Sequence, residues 1–403
     1  MPFFKYTEKR LAKDIGRVAE SIDPALSCEY LPDSREVILT SHEDNAGGPF
    51  TVFLGNILLK VSDLPKKERL SAIEGFMREA ISPVKLTPNE LMESLALRVR
   101  TQFEIEFRNR NIELMGHDVP PSIAVPRGDL LVEVVSDRAE SVSIATSDDL
   151  AEIGVGEDEA FRIAAARIRR DTSENQWEKI DEAIWISIYL DDYDFARLVA
   201  AEEFGRFPFE GPPIVFAPSH SVCLVTSSLD VDVLTTMVDL GNERAAKHRA
   251  FSQLLWTMDG ANWREWAPAS HLDVSEVARL QALRERLTQY EESKDYLDRF
   301  LRNEDVFVAT FQATHDDEGL NCFCVYTFDV PSYLPDADFV AIVDPELPED
   351  QAVVGRVSWD RFLRILGPES LEQIDSVTPP WYRVLRPLST DQKDQIRKAA
   401  QPL

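Results

Sequence analysis

The sequence predicts an α+β protein of two domains, each a mainly antiparallel sheet with helices packed on it. Three observations carry that expectation. Short apolar runs bounded by turn residues come in pairs, as hairpins do, and stretches of helical period follow them. Hairpins, not single strands, alternate with helices, which favours antiparallel pairing over a doubly wound parallel sheet. A Trp-rich stretch and a long charged helix interrupt the pattern past residue 250 of a chain of 403, long enough for more than one core. The expected organisation is an α+β domain over 1–250, a Trp-rich linker and long helix over 251–302, and a second α+β domain over 303–403.

Leu11, Ile15, Val18 and Ile22 step by three and four residues and predict a helix over 8–22. Cys28 to Leu31 and Val37 to Leu39 flank Pro32-Asp33-Ser34 as a hairpin, and Gly47-Gly48-Pro49 breaks the chain. Helices are expected over 54–59 and 70–81, the second ended by Pro83. Between Pro88 and Arg110, Leu91, Leu95, Val99, Phe103 and Phe107 lie four apart, while Phe103, Ile105 and Phe107 also alternate with glutamates. A helix turning into a strand fits both patterns. Strands follow at 130–135 and 142–145. Ser147-Asp148-Asp149 offers cap chemistry for a short helix. Gly154-Val155-Gly156-Glu157-Asp158 opens another, with Phe161, Ala164, Ala165 and Ile168 on one face. A similar unit recurs as strand 214–216, turn Pro218-Ser219-His220, strand 222–225 and a helix capped by Ser228 and Asp230. Ile184 to Ile188 is strand-like, and a short helix starts near Asp192.

Past the Trp263-Arg264-Glu265-Trp266 run, Val277, Leu280, Leu283, Leu287, Leu297 and Leu301 form the apolar line of a helix over 274–302, a connector or surface helix by its polarity elsewhere. Val306 to Ala309 and Cys322 to Tyr326 read as a hairpin around His315-Asp316-Asp317-Glu318-Gly319. A strand at 339–343, a helix from Trp359 to Leu366 ended by Gly367, a strand at 381–384 and a polar helix complete the chain.

Charge bounds the function. Lys and Arg number 43 against 71 Asp and Glu, a net charge of −28. Such a chain repels phosphate backbones and anionic lipid, so neither nucleic acid nor membrane is an expected partner. A basic protein partner is compatible with it. The four cysteines are scattered apart from Cys322-x-Cys324, no stretch reads as a membrane span, and the N-terminus has no apolar targeting core. A cytoplasmic protein with reduced thiols is expected.

Candidate chemistry is sparse. Cys322 and Cys324 share a strand face but lack further soft ligands, so burial is the better reading. His315 to Glu318 lacks the ligand spacing of a calcium loop. Gly154-x-Gly156 lacks a third glycine, and Glu157 and Asp158 would repel phosphate there, so capping explains it better. Asp192 and Asp194 form an acidic knot before a helix, and His220 follows Pro218-Ser219 in a tight turn. These three residues are the catalytic candidates, although no G-x-S-x-G elbow surrounds any serine. Trp263 and Trp266, with Asp316, Asp317 and Glu318, are candidates for contacting a partner. No cofactor or metal is expected.

Several runs resemble a known family. Asp129-Leu130-Leu131-Val132, Val135-x-Asp137, and Asp149-Leu150-x-x-Ile153-Gly154-Val155 are similar to the core of the YtpQ-like bacterial family of unknown function. Asp158-Glu159-Ala160 with Ala164-Ala165 fits its next helix. Asp192-Tyr193-Asp194-x-Ala196-Arg197-Leu198 resembles its aspartate-tyrosine-aspartate motif, and Pro213 to Pro218 its valine-alanine-x-proline strand. Leu54 to Leu58 and Arg69 fit more loosely. The resemblance covers residues 1–250. Where the family has arginine-aspartate after the proline, this chain has Ser219-His220-Ser221. The family implies no activity, and residues 251–403 fall outside it.

The leading expectation is therefore a non-enzymatic protein-binding module, inhibitor-like or immunity-like, that neutralises a basic partner. The alternative is a hydrolase or cation-dependent enzyme using Asp192, Asp194 and His220.

Overall fold

The computed structural model describes residues 6–402 apart from 33–34, 42–49, 63, 82–85, 115, 117, 139–141, 173–175, 182, 190, 202–206, 210, 247, 249, 261, 317–318, 375–376 and 386. It is a mixed α+β protein whose sheets are mainly antiparallel. Two compact units emerge, Met1–Gln102 with Ile112–Trp266, and Phe103–Asn111 with Ala267–Leu403.

The first unit begins with the helix Glu8–Ile22, whose buried Leu11, Ile15 and Ala19 follow the expected period. They pack with Val37, Leu39 and Val52 of a three-stranded antiparallel sheet, Leu26–Leu31, Glu36–Ser41 and Phe50–Phe53. Helices Leu54–Val61 and Lys66–Ile81 add Leu54, Ile57, Ile73 and Met77. The expected hairpin forms with Leu31 opposite Glu36. Its turn residues Asp33 and Ser34, like Gly47, Gly48, Pro49 and Pro83, lie outside the described residues.

The ambiguous stretch resolves into three elements. Thr87 and Glu90 close a capping box on the helix Pro88–Ser94, the strand Leu95–Thr101 follows, and the chain returns to helix over Gln102–Leu114. Phe103 and Phe107 stack at 5.4 Å, as residues four apart on a helix do, so their alternation with glutamates was no strand signal. Leu95–Thr101 pairs with Leu130–Asp137, which also pairs with Ala124–Arg127 and Val142–Ile144. The next helix, Ser147–Glu152, is capped one residue earlier than expected. Thr146 accepts from the Asp149 amide, and the Asp149 carboxylate accepts from the Thr146 amide.

A six-stranded antiparallel sheet runs Asn262–Glu265, Leu255–Asp259, Ile214–Ser219, Val222–Thr226, Trp185–Ser187, Trp177–Lys179. Its first two strands lie in the stretch expected to be a linker. Trp256 and Trp263 bury their rings in this unit's core, so the Trp-rich composition marks packing. Gly128 lies so close to the Trp263 backbone, at a φ of 72°, that only glycine fits. Helices Glu157–Asp171, Asp194–Ala201 and Val231–Ala245 complete the layer, the last capped by Asp230.

In the second unit the helix Val274–Phe300 is part of the core, not a connector. Leu283, Tyr290 and Leu297, seven apart, pack with Phe311, Tyr333 and Trp381. Of the expected apolar line, Val277, Leu280 and Leu287 are only half-buried, while Gln281, Glu285 and Ser293 are buried. Ser293 earns its place by accepting from the Trp381 indole at 3.1 Å. One sheet runs Gln312–Asp316, Gly319–Thr327, Phe339–Val343, Val353–Ser358, and the other Phe307–Val308, Ser332–Pro335, Trp381–Val384, Leu371–Ile374. The hairpin partner of Gly319–Thr327 is thus Gln312–Asp316, whereas Phe307–Val308 pairs in parallel with Ser332–Pro335. Cys322 and Cys324 point into the core from alternate positions of one strand. Among the described residues, no helix is long and apolar enough to cross a membrane.

Candidate functional site

A cleft of about 190 Å³ in the first unit gathers Asp137, Arg167, Asp171, Asp191, Tyr193 and Arg197. Asp137 ends the strand Leu130–Asp137. Arg167 and Asp171 sit in the last turns of the helix Glu157–Asp171, one turn apart on the same face. Asp191 and Tyr193 precede the helix Asp194–Ala201, which carries Arg197.

Both arginines are committed to neighbours. Arg167 donates to Asp137 at 3.2 Å and lies 3.7 Å from Asp171. It also donates to the Glu93 and Ser94 carbonyls at 3.1 and 2.9 Å, satisfying groups that a helix C-terminus leaves open. Arg197 grips Asp191 with two hydrogen bonds of 2.7 and 2.5 Å, the forked geometry that suits guanidinium and carboxylate. Its guanidinium is only 2% exposed and lies 3.8 Å from the centre of the Tyr189 ring. The carboxylates keep spare lone pairs, since each oxygen accepts more than one hydrogen bond. Burial pushes the Asp137 carboxyl up, against the pull of Tyr193, Arg167 and Arg98, and the charge of Asp191 adds to the rise. The cleft thus sets three carboxylates against two guanidinium groups.

Beneath it, Asp194 is completely buried. Among the described residues, neither of its carboxyl oxygens accepts a hydrogen bond of good geometry, although the Ser187 hydroxyl and the Tyr189 amide approach it. Burial pushes its pKa from 3.8 up to about 7. The nearby Ser187 hydroxyl, the Arg197 charge and the Tyr189 amide offset part of that rise, and Asp191 adds to it.

The structure brings the catalytic candidates only partly together. Asp192 sits in the left-handed region at a φ of 65°, which short acidic side chains tolerate, and accepts a hydrogen bond from Ser221 in the turn after Ser219. The knot and the turn thus touch. His220, however, is 4% exposed, packs on Phe251 at 4.8 Å, and has Arg100 at 3.5 Å from its Nε2, the outer limit of a hydrogen bond. Arg100 in turn lies 3.3 Å from the fully buried Glu133. The cleft is lined by Asp191, Tyr193 and Arg197, the immediate neighbours of the candidates, instead of by Asp192, Asp194 or His220. A catalytic side chain has to reach its substrate, and enclosure denies that to Asp194 and His220.

Of the partner candidates, Trp263 is 1% exposed and meets Phe195 edge-on at 5.2 Å, so it offers no surface to a partner. Trp266 is half-buried. Asp317, Glu318 and the Asp316 side chain lie outside the described residues. Among the described residues, no group of three or more His, Cys, Asp and Glu is placed to hold a metal ion.

A separate surface carries the charge. Asp148, Asp149, Glu152, Glu157, Asp158 and Glu159 are all exposed on two consecutive helices, with no Lys or Arg between Arg138 and Arg162. Ser147 donates to Glu157 at 2.7 Å and ties the two helices together. Carboxylates at helix starts suit the positive end of the helix dipole. Asp149 is spent on the capping box and Glu157 on Ser147, and all six carboxylates lie on exposed residues.

No protein-family profile matches the chain, and no curated protein or solved structure matches it either.

Proposed function

We propose that this chain is a non-enzymatic module that binds a basic segment of a partner protein, in the manner of an inhibitor or immunity protein. The observation that carries this reading is the set of six exposed carboxylates at 148–159 with no cation among them. Such a field speeds the encounter with a positively charged partner and repels acidic ones. The cleft adds carboxylates whose two arginines are already engaged. We also place residues 1–250 with the YtpQ-like family. That placement rests on the order of the quoted motifs, three residues of which, Asp137, Tyr193 and Arg197, line the cleft. A reducing cytoplasmic setting fits four free cysteines, three of them buried. The test is the association rate of a lysine-rich peptide between 50 and 300 mM salt. A rate that falls about tenfold or more supports the reading, and one insensitive to salt removes it.

A further inference from the structure

Arg197 in the cleft and the buried Asp194 next to it in the helix leave polar atoms poorly paired. Arg197 spends both terminal nitrogens on Asp191, yet its buried Nε has no acceptor. Three residues earlier, on the same face of the helix Asp194–Ala201, neither Asp194 oxygen accepts a well-formed hydrogen bond, the Ser187 hydroxyl and the Tyr189 amide being its nearest donors. Buried polar groups are seldom left unpaired, and an unpaired donor one helical turn from an under-satisfied, electrostatically coupled acceptor leaves room for a second arrangement in which they meet. Asp191, the group that Arg197 now holds, is the half-exposed member that lines the cleft.

We propose that Asp191, Arg197 and Asp194 form a proton-operated gate: with Asp194 neutral, Arg197 occupies Asp191, and with Asp194 ionised, Arg197 turns to it and frees Asp191 to receive an ammonium or guanidinium group of a basic partner. The proposal rests on the basic-partner reading above. The Arg197 guanidinium carbon lies 3.8 Å from the centre of the Tyr189 ring, a contact that uses none of its N–H donors.

The titratable and charged groups around Asp194 come from several elements. Asp191 and Tyr189 face it from the preceding loop, Ser187 from the strand Trp185–Ser187, Cys223 from the strand Val222–Thr226, and Arg197 from its own helix. The Cys223 thiol is itself raised by burial and stays neutral. The charged groups of the other elements packed on this helix, Arg98, Asp137 and Arg167, interact with one another and with Tyr193. With Asp194 held protonated up to about 7, the gate turns over near neutral pH.

The test uses the full chain. The side-chain NMR signal of Arg197 Nε–H is followed from pH 5.5 to 8.5, and binding of acetyl-hexalysine amide is measured by calorimetry at pH 6 and 8. The Arg197 signal is expected to move with a midpoint near that of Asp194 and to stay still in Asp194→Asn. Peptide affinity is expected to rise about fivefold or more from pH 6 to 8 in the natural protein, a typical coupling between linked sites. Asp194→Asn loses that rise, and Asp191→Asn lowers the pH 8 affinity to the pH 6 level. A motionless Arg197 signal, the same motion in Asp194→Asn, or equal affinity at both pH values overturns the gate. No peptide binding at either pH, with the Arg197 midpoint intact, overturns the basic-partner reading instead.

Discussion

Replacing Asp194 by Asn should stabilise the protein, and only above mildly acidic pH. The folded state holds the Asp194 proton up to about 7, whereas 3.8 is the ordinary value the unfolded chain keeps. Between those values the folded state binds the proton and the unfolded state does not. Natural stability therefore falls as pH rises through this window and levels off above it. A gap of roughly three pH units at about 1.4 kcal/mol each gives about 4 kcal/mol. Asn mimics the neutral acid in shape and carries no charge to bury. The difference in unfolding free energy between variant and natural protein should be near zero at pH 4 and reach about 4 kcal/mol in favour of the variant at pH 8. Urea unfolding followed by the fluorescence of the seven tryptophans measures it at each pH. Taking the difference at each pH cancels the titrating groups that do not interact with Asp194. An advantage below about 1 kcal/mol at pH 8, or one that does not change with pH, would refute the burial argument.

Other substitutions probe neighbouring claims. Arg197→Met should cost about 3–5 kcal/mol at pH 8, because it removes the cation that interacts with the buried Asp194 carboxylate, and at pH 6 Arg197→Lys should not restore the forked contact with Asp191, which a point charge cannot make. Gly241→Val should cost about 2–3 kcal/mol by denaturant melt, because a side chain there meets the buried Phe216 ring at 2.6 Å in a packed core. Burial acts to raise the Asp344 carboxyl, but its bonds to Arg397, at 2.7 Å, and to the Glu346 amide prevail and hold it below the usual carboxylate range. That contact stabilises the fold above the ordinary carboxylate pKa and is lost as pH falls through the lowered one. Asp344→Ala should therefore lower the melting temperature at pH 7, with the gap closing in acid.

Local features were legible in the sequence, and long-range ones were not. The helix Glu157–Asp171 followed from Ala164, Ala165 and Ile168 recurring on one face, and the hairpin of Ile214–Ser219 with Val222–Thr226 from two apolar runs around a short turn. The burial of Cys322 and Cys324 followed from strand alternation. The parallel pairing of Phe307–Val308 with Ser332–Pro335 has no local signal, because it depends on a crossover of distant chain. The helix Val274–Phe300 looked like a surface element because Gln281, Glu285 and Ser293 are polar, and only the structure supplies partners such as the Trp381 indole. The cleft was half visible. The knot at 191–194 was conspicuous, but the cleft is lined by Asp191, Tyr193 and Arg197 and not by Asp192 or Asp194. Asp191 lies outside the helix that carries Arg197, so their bidentate pair fits no helical spacing. Asp137 and Arg167 come from a strand and a helix remote in sequence. Charge density at 148–159 could have been counted directly, since the absence of Lys and Arg between residues 138 and 162 is a property of the sequence alone.

The central claim, that the acidic face at 148–159 recruits a basic partner, is tested most directly by neutralising it against a matched control. Asp148→Asn, Glu152→Gln, Asp158→Asn and Glu159→Gln combined leave Asp149 to its cap and Glu157 to Ser147. Glu276→Gln, Asp295→Asn, Glu349→Gln and Asp350→Asn combined remove the same charge from exposed positions of the second unit. Calorimetric affinity for acetyl-hexalysine amide at 50 mM salt should drop about tenfold or more in the first variant and change little in the second. Equal losses in the two variants, or no loss in the first, would contradict the claim.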